Sequence, residues 1–440
     1  MGCLDSSQSP RVLLTGHHSS LDVGHMAIVL GTVCAIRSVI PDSKFILLSG
    51  LVDVDRERYT VAGLKIVEQD KDRNTLHWIF RAFQSMLLCL TYRLSGILPR
   101  QSCNANSARL VQAFQDSSIV VDLSALAFRG ADGKPSLYVT LKTLQSAILA
   151  KIMGKKFVLL AQTIELPFSW RCKFFAELVI FLADTITARE KSTYSYLRKS
   201  KVKASVYLTA DPAYLVEAKC SARVRRREVL MARMQRPLVA VLPRRWTDEW
   251  LLVLKGGLPR YIDFFARLVD LLIEDLGCTV LLLPHWTGPG YLDDRPVIRW
   301  IRDLVDKKDD VLLVEDELTE QERRALFKKC DIVVSANLHA TISAASMGVP
   351  FIVLGSSTKF GAITDGIPEI ERHFVDVRGQ GTDYLLHFLK GNLSWLINNL
   401  EEEKRKLKEV TPRFFENSLR NGYIIAHLMG ADLGNRKAKS

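Results

Sequence analysis

The sequence predicts an α/β protein of two Rossmann-like domains facing each other across a cleft, with a C-terminal helical tail. Three observations predict it. Short aliphatic, β-branched runs alternate with helical stretches, as in a parallel sheet covered on both faces. The alternation stops at an arginine-dense stretch and then restarts. The 440 residues exceed one ordinary core and suit two domains of roughly 200 residues each.

The elements follow in order. Arg11 to Gly16 is a strand ending in glycine, His25 to Ile40 has helical spacing, and Lys44 to Ser49 is a second strand. Ile119 to Ser124 is a strand, Leu137 to Met153 a helix, and Lys156 to Ala161 a strand. Phe174 to Ala183 is helical, Thr185 to Ala188 a strand, Glu190 to Arg198 helical, and Ala204 to Leu208 a strand. After Glu217 to Arg236 the pattern resumes with strand Pro237 to Leu242, helix Arg260 to Leu276 and strand Thr279 to Leu283. Helix Pro296 to Val305 and strand Val311 to Val314 come next. Helix Thr319 to Cys330 starts with Thr319 and carries Glu322 three residues on, a capping-box signature. Strand Asp331 to Ser335, helix Ala340 to Met347 and strand Pro350 to Gly355 complete the series, and Asp383 to Met429 is helical. The expected boundaries are an N-terminal domain at 10–216, a basic linker at 217–236, a second domain at 237–380, and helices at 381–432 returning across the seam.

Net charge is +12 and the isoelectric point near 9.3, so anionic partners are expected: phosphorylated small molecules or an anionic membrane face. The basic residues are spread along the chain without an arginine-rich arm, which argues against nucleic acid. None of the eight cysteines forms a C-x-x-C pair, so a zinc ribbon or redox dithiol is not expected; free thiols in a reducing compartment are. Met1 to Pro10 is too polar for a signal peptide, although Met1 to Ser6 fits a myristoylation pattern. The most apolar segment, Ile79 to Leu98, is interrupted by Arg81, Gln84 and Arg93. It reads as an amphipathic helix for the domain core or, second, for a membrane surface.

In open α/β sheets, ligands bind beyond the carboxyl ends of strands. The residues there include the loop Gly16 to Gly24, Asp122, Gln162, Arg189, Arg244, Arg245, His285, His339 and Lys359. His339 follows strand Asp331 to Ser335 and opens a helix, where an imidazole can exchange a proton near neutral pH and free amides favour an anion. Arg244 and Arg245 can grip a carboxylate or phosphate. Arg189 suits an anion or a neighbouring carboxylate such as Glu190, His285 sits at a strand end, and Lys359 can present an ammonium. His17, His18 and His25 lack a convincing carboxylate set, so no metal site is expected. No G-x-G-x-x-G or Walker A sequence occurs, which argues against dinucleotide binding and P-loop hydrolysis.

The order of these motifs, from about Val12 to Met429, resembles the polysaccharide pyruvyl transferase family. Ser20-Leu-Asp-Val-Gly-His-Met-Ala-Ile28 looks like that family's Asn-x-Gly-Asp-x-Ala-Ile, Val121 to Ala125 like its Asp-x-Ser-Gly, and Ala161 to Phe168 like Gln-x-Ile-Gly-Pro-Phe. Ala183 to Ser192, Tyr196-Leu197, Ala210 to Leu215, Leu283-Pro-His285 before Asp293, Cys330 to Ala340, Gly348 to Pro350 and Lys359-Phe-Gly361 continue the order. The resemblance implies a fold similar to glycosyltransferase B, with the first domain on the acceptor side and the second on the donor side. It implies transfer of pyruvate from phosphoenolpyruvate, as a ketal, onto a sugar or lipid-linked glycan. No cofactor is implied, and the location is cytoplasmic, with peripheral contact at the inner membrane face an option. His339 would be the general acid, Arg189 and Arg244 would hold the donor's charge, and Arg245, His285, Asn337, Leu338, Lys359, Gln162 and Asp122 would line the substrate sites. Three departures stand out: Asn337-Leu338-His339 replaces Arg-Leu-His, Glu165-Leu166 replaces the glycine of Gln-x-Ile-Gly-Pro-Phe, and Ala125 replaces the glycine of Asp-x-Ser-Gly. A nucleotide-sugar glycosyltransferase and a non-catalytic binding descendant remain the alternatives.

Overall fold

The computed structural model describes residues 9–17, 19–69, 75–96, 105–125, 134–164, 170–244, 257–288, 293–355, 360–365 and 373–431. The chain divides into two units, the first of residues 1–20, 28–212 and 416–440, the second of 21–27 and 213–415. Each is built on one parallel sheet.

The first sheet has β1 (Arg11–Thr15), β2 (Lys44–Ser49), β3 (Leu64–Glu68), β4 (Ile119–Asp122), β5 (Lys156–Gln162), β6 (Thr185–Ala188) and β7 (Ser205–Leu208). Their order is β3-β2-β1-β4-β5-β6-β7. The central strands read as unbroken aliphatic runs because helices cover both faces. Burial follows: every residue of β4 is inside, while the edge strand β7 alternates exposed and half-buried. β3 carries Lys65 and Glu68 in a mostly half-buried strand, so its pattern hides it from the sequence. The helices Val52–Tyr59 and Ala105–Asp116 were likewise not predicted.

The second sheet has β8 (Leu238–Leu242), β9 (Thr279–Leu282), β10 (Val311–Leu313), β11 (Ile332–Ser335), β12 (Phe351–Gly355) and β13 (Phe374–Asp376), in the order β10-β9-β8-β11-β12-β13. The three-residue edge strand β13 was not predicted. Val239, Val241, Val280, Leu282, Ile332 and Val334 pack with Phe264, Phe265 and Leu268 of the helix Gly257–Asp270 in one core. The expected capping box is present: Thr319 accepts the amide of Glu322, whose carboxylate accepts that of Thr319. The basic stretch expected as a linker contains the helix Ala222–Met231, capped by Ser221. It belongs to the second unit, where Arg227 Nε bonds Asp316 at 2.8 Å. The tail forms helices Thr382–Asn398 and Leu400–Leu428.

The strand order reverses between β1 and β4 in the first sheet and between β8 and β11 in the second. These are the switch points where such sheets hold ligands. The backbone beside the first is strained. Ala125, in place of the glycine of the Asp-x-Ser-Gly pattern, adopts φ 52°, and Ala161 adopts φ 48° where the β5–β6 register shifts. An L residue there costs about 1–2 kcal/mol, partly offset in a glycine variant by its freer unfolded chain. Ala125→Gly is therefore expected to raise stability by about 0.5–1 kcal/mol, readable as a higher urea midpoint with an unchanged slope.

Candidate active site

The carboxyl ends of β8, β9 and β11 bring Arg244, His285 and His339 to one end of the second sheet. Just past β9, Asp294 accepts the backbone amides of His285 (3.0 Å) and Trp286 (2.7 Å), fixing the turn that aims the imidazole. His285 Nδ1 lies 2.5 Å from Arg323 Nη1. A guanidinium only donates, so Nδ1 is the acceptor and Nε2 carries the proton. That nitrogen faces Asp22 Oδ1 at 3.4 Å.

Asp22 comes from far upstream but belongs to the second unit, joined to it by an antiparallel bridge to Trp286 and by the Thr287 amide on the Leu21 carbonyl. Its Oδ1 also accepts the amides of Gly24 (2.9 Å) and His25 (3.3 Å), capping the helix Val23–Arg37. Burial pulls the Asp22 pKa up, but His285, His25 and Arg244 outweigh it and hold the carboxyl well below its usual range. Burial, then the Arg323 charge, pushes His285 down to about 4 against the opposing pull of Asp22. His285 is thus a neutral imidazole beside a carboxylate.

Between pH 6.5 and 4 the unfolded chain protonates this imidazole and the native chain does not, so stability falls as pH falls through that window. The loss from His285 alone reaches on the order of 3 kcal/mol by pH 4. His285→Asn is expected to flatten that part of a stability–pH curve taken by urea titration.

Behind His285 lies a buried ionic network. Arg323 Nη2 and Arg324 Nε bond Glu320 at 2.5 and 2.6 Å, and Ser343 Oγ bonds the same carboxylate at 2.5 Å. Arg324 also donates to the carbonyls of Val216 and Ala213. Glu320, Arg323 and Arg324 are all buried. The network reaches the helix Leu338–Ser346, since Ser343 Oγ lies 2.6 Å from the carbonyl of His339.

His339 is half-buried in the first turn of that helix. A Cβ on Gly24 would fall 2.4 Å from His339 Nδ1 and 3.1 Å from Asp22 Oδ1, so position 24 has no room for a side chain. Gly24→Ala is expected to push the imidazole from its seat and shift the His339 ring signals in a ¹H–¹⁵N histidine spectrum, with the fold intact. Arg244 follows β8, its amide donating to the Tyr261 hydroxyl at 2.7 Å. Its charge contributes to lowering both Asp22 and His285.

One sequence expectation is corrected here. The amides opening this helix are not free for an anion: Asn337 Oδ1 accepts those of His339 (2.8 Å) and Ala340 (3.3 Å). Asn337 stands where the motif has arginine and serves as the N-cap, a task that asparagine performs well. Leu338 is buried in the helix packing.

In the first unit, Asp122 and Gln162 end β4 and β5, and Arg189 directly follows β6. Asp122 is buried, accepts from Thr15 Oγ1 and the Ser124 amide, both at 3.0 Å, and has its pKa raised by burial. Gln162 donates to the Leu160 carbonyl at 3.1 Å, and its Oε1 is buried without a partner among the described residues. Arg189 is also buried, bonded to Asp211 at 2.6 Å and Thr163 at 2.8 Å, with Glu190 at 3.8 Å. The carboxylate-paired arrangement is the one present. His17 bonds Asp55 at 3.1 Å. Arg245, Lys359, His18, most of the stretch Ala161 to Phe168 after Ile164, and the Met1 to Ser6 pattern lie outside the described residues.

The sequence reading missed Glu320, Arg323 and Asp294 and gave Asp22 and Gly24 no role. Asp293, noted beside His285, instead pairs with Arg295 at 2.7 Å. Asp22 and Gly24 do lie in the loop singled out for its motif likeness, which was the available signal.

The two parallel-sheet units define a protein of the glycosyltransferase B fold class. Known structures agree. A UDP-GlcNAc 2-epimerase from Neisseria meningitidis bound to UDP-GlcNAc superposes with TM-score 0.61 at 13% identity, covering 96% of this chain and 100% of that one. A glycosyltransferase from Rickettsia africae gives 0.56 at 12%, covering 97% and 100%. The UDP-GlcNAc 2-epimerase of Methanocaldococcus jannaschii gives 0.55 at 9%, covering 96% and 100%. At such identities the likeness concerns the fold. No curated protein matches in sequence. The polysaccharide pyruvyl transferase family model matches residues 24–358, and the chain belongs to that family.

Proposed function

We propose that this protein transfers pyruvate from phosphoenolpyruvate onto two hydroxyls of a glycan or glycolipid precursor, forming a ketal. Support comes first from the family and then from one observation: Arg244, His339 and the Asp22–His285 pair meet at the switch-point end of the second sheet. The donor carries a carboxylate and a phosphate, and Arg244 supplies a guanidinium for them.

His339 donates a proton to the donor's methylene carbon, leaving C2 electrophilic. One sugar hydroxyl adds to C2 and returns its proton to His339. The C2–O bond to phosphate breaks, and a second hydroxyl closes the ketal as its proton leaves with the departing phosphate. Asp22 and neutral His285 hold the neighbouring geometry, with the buried Arg323 fixing the ring's tautomer. On this reading the protein works in the cytoplasm. A thermal-shift comparison separates this function from nucleotide-sugar chemistry. Phosphoenolpyruvate should raise the melting temperature and UDP-GlcNAc should not; the reverse pattern refutes the proposal.

A further inference from the structure

The helix Thr75–Ser95 in the first unit has two apolar sides. Ala82, Ser85, Leu88 and Cys89 are buried. On the other side Phe80, Phe83, Leu87, Leu90 and Leu94 are 65, 65, 54, 46 and 80% exposed. Their spacings of three and four residues place them on one stripe, with the exposed Arg93 on its flank. An ordinary surface helix turns polar residues outward. The sequence reading favoured the core for this segment; the structure buries only one face.

The stripe has neighbours of the same character. The helix Lys134–Ile152 packs against both Thr75–Ser95 and Trp170–Leu182. On the latter, Phe174 and Phe181 are 56 and 65% exposed. The protein has 48 acidic residues in 440, yet the first two of these helices contain none. The third has Glu177 alone, 3.8 Å from Lys173. In the second unit, by contrast, the exposed Leu304 directly follows Asp303, Trp300 lies one turn before it, and Tyr384 directly follows Asp383.

We propose that these three helices form a docking face for an anionic lipid surface. Exposed aromatic and leucine side chains enter the headgroup boundary while Arg93, Lys142 and Lys173 meet lipid phosphates. Near-absence of acid suits an anionic bilayer better than a protein partner, whose mixed charges would leave these cations unmatched. The helix lies on the membrane rather than spanning it: among the described residues no helix is long and apolar enough to cross. The inference is independent of the donor assignment.

Vesicle flotation of the full chain tests it. We expect binding to phosphatidylcholine vesicles containing roughly 30% phosphatidylglycerol, weak binding to phosphatidylcholine alone, and release by salt. The triple variant Phe83→Ser, Leu87→Ser, Leu94→Ser should lose binding at least tenfold with its circular dichroism unchanged. Arg93→Glu with Lys173→Glu, both on exposed positions, should weaken it severalfold and carries the test if the triple variant misfolds. Binding no stronger to anionic than to neutral vesicles, or indifferent to these changes, overturns the proposal. So does a wild-type dimer that the triple variant turns into a monomer, which would give the face to a second copy of the chain.

Discussion

His339→Ala is expected to lower pyruvyl transfer by about two to four orders of magnitude, the range for loss of a positioned general acid. Phosphoenolpyruvate should still raise the variant's melting temperature, because the proposed anion contact, Arg244, is untouched. Turnover within a few-fold of wild type would remove His339 from the proton-transfer role. Loss of ligand stabilisation together with turnover would make it a binding residue instead. The helix start explains why the ring is well held. Asn337 caps the first turn, and Gly24 leaves room for the imidazole.

The second large effect concerns stability. Glu320→Ala should destabilise the protein by about 3–5 kcal/mol, because it strands Arg323 and Arg324 in a buried site without their carboxylate. For a unit of some two hundred residues that is a melting shift on the order of 10 °C. Glu320→Gln, which keeps an acceptor oxygen but not the charge, should fall between. A shift of a degree or two for the alanine variant, by calorimetry, would show that the network contributes little. His285 provides a readout that a purely structural role would not move. With the Glu320 carboxylate gone, the Arg323 charge beside His285 goes uncompensated, so the imidazole pKa should move further down from about 4, followed by ring proton shifts against pH.

The fold was legible where the physics is local or strongly periodic. β8 is an unbroken aliphatic run, and β9 and β11 each depart from one by a single terminal hydroxyl residue, because parallel strands are buried on both faces. The Thr319–Glu322 capping box spans four residues and needs no tertiary knowledge. β3 and β13 escaped because an edge strand tolerates charge and need be only a few residues long. The strand-end rule led to Arg244, His285 and His339, which the structure gathers at one end of the second sheet. It could not lead to Glu320 and Arg323, since hydropathy assigns charged helical residues to the surface and theirs are buried by pairing. Asp22 meets His285 only through tertiary folding, which no local pattern encodes. Asn337 replaces a guanidinium in the motif, but an asparagine directly before a helix is also a cap signal.

Isothermal titration of phosphoenolpyruvate into the wild type, His339→Ala and Arg244→Ala tests the donor site most directly. The expected result is binding to the first two with similar affinity and at least tenfold weaker binding to Arg244→Ala. Equal affinity for all three, or no binding to the wild type, would contradict a donor site at the strand ends of the second unit.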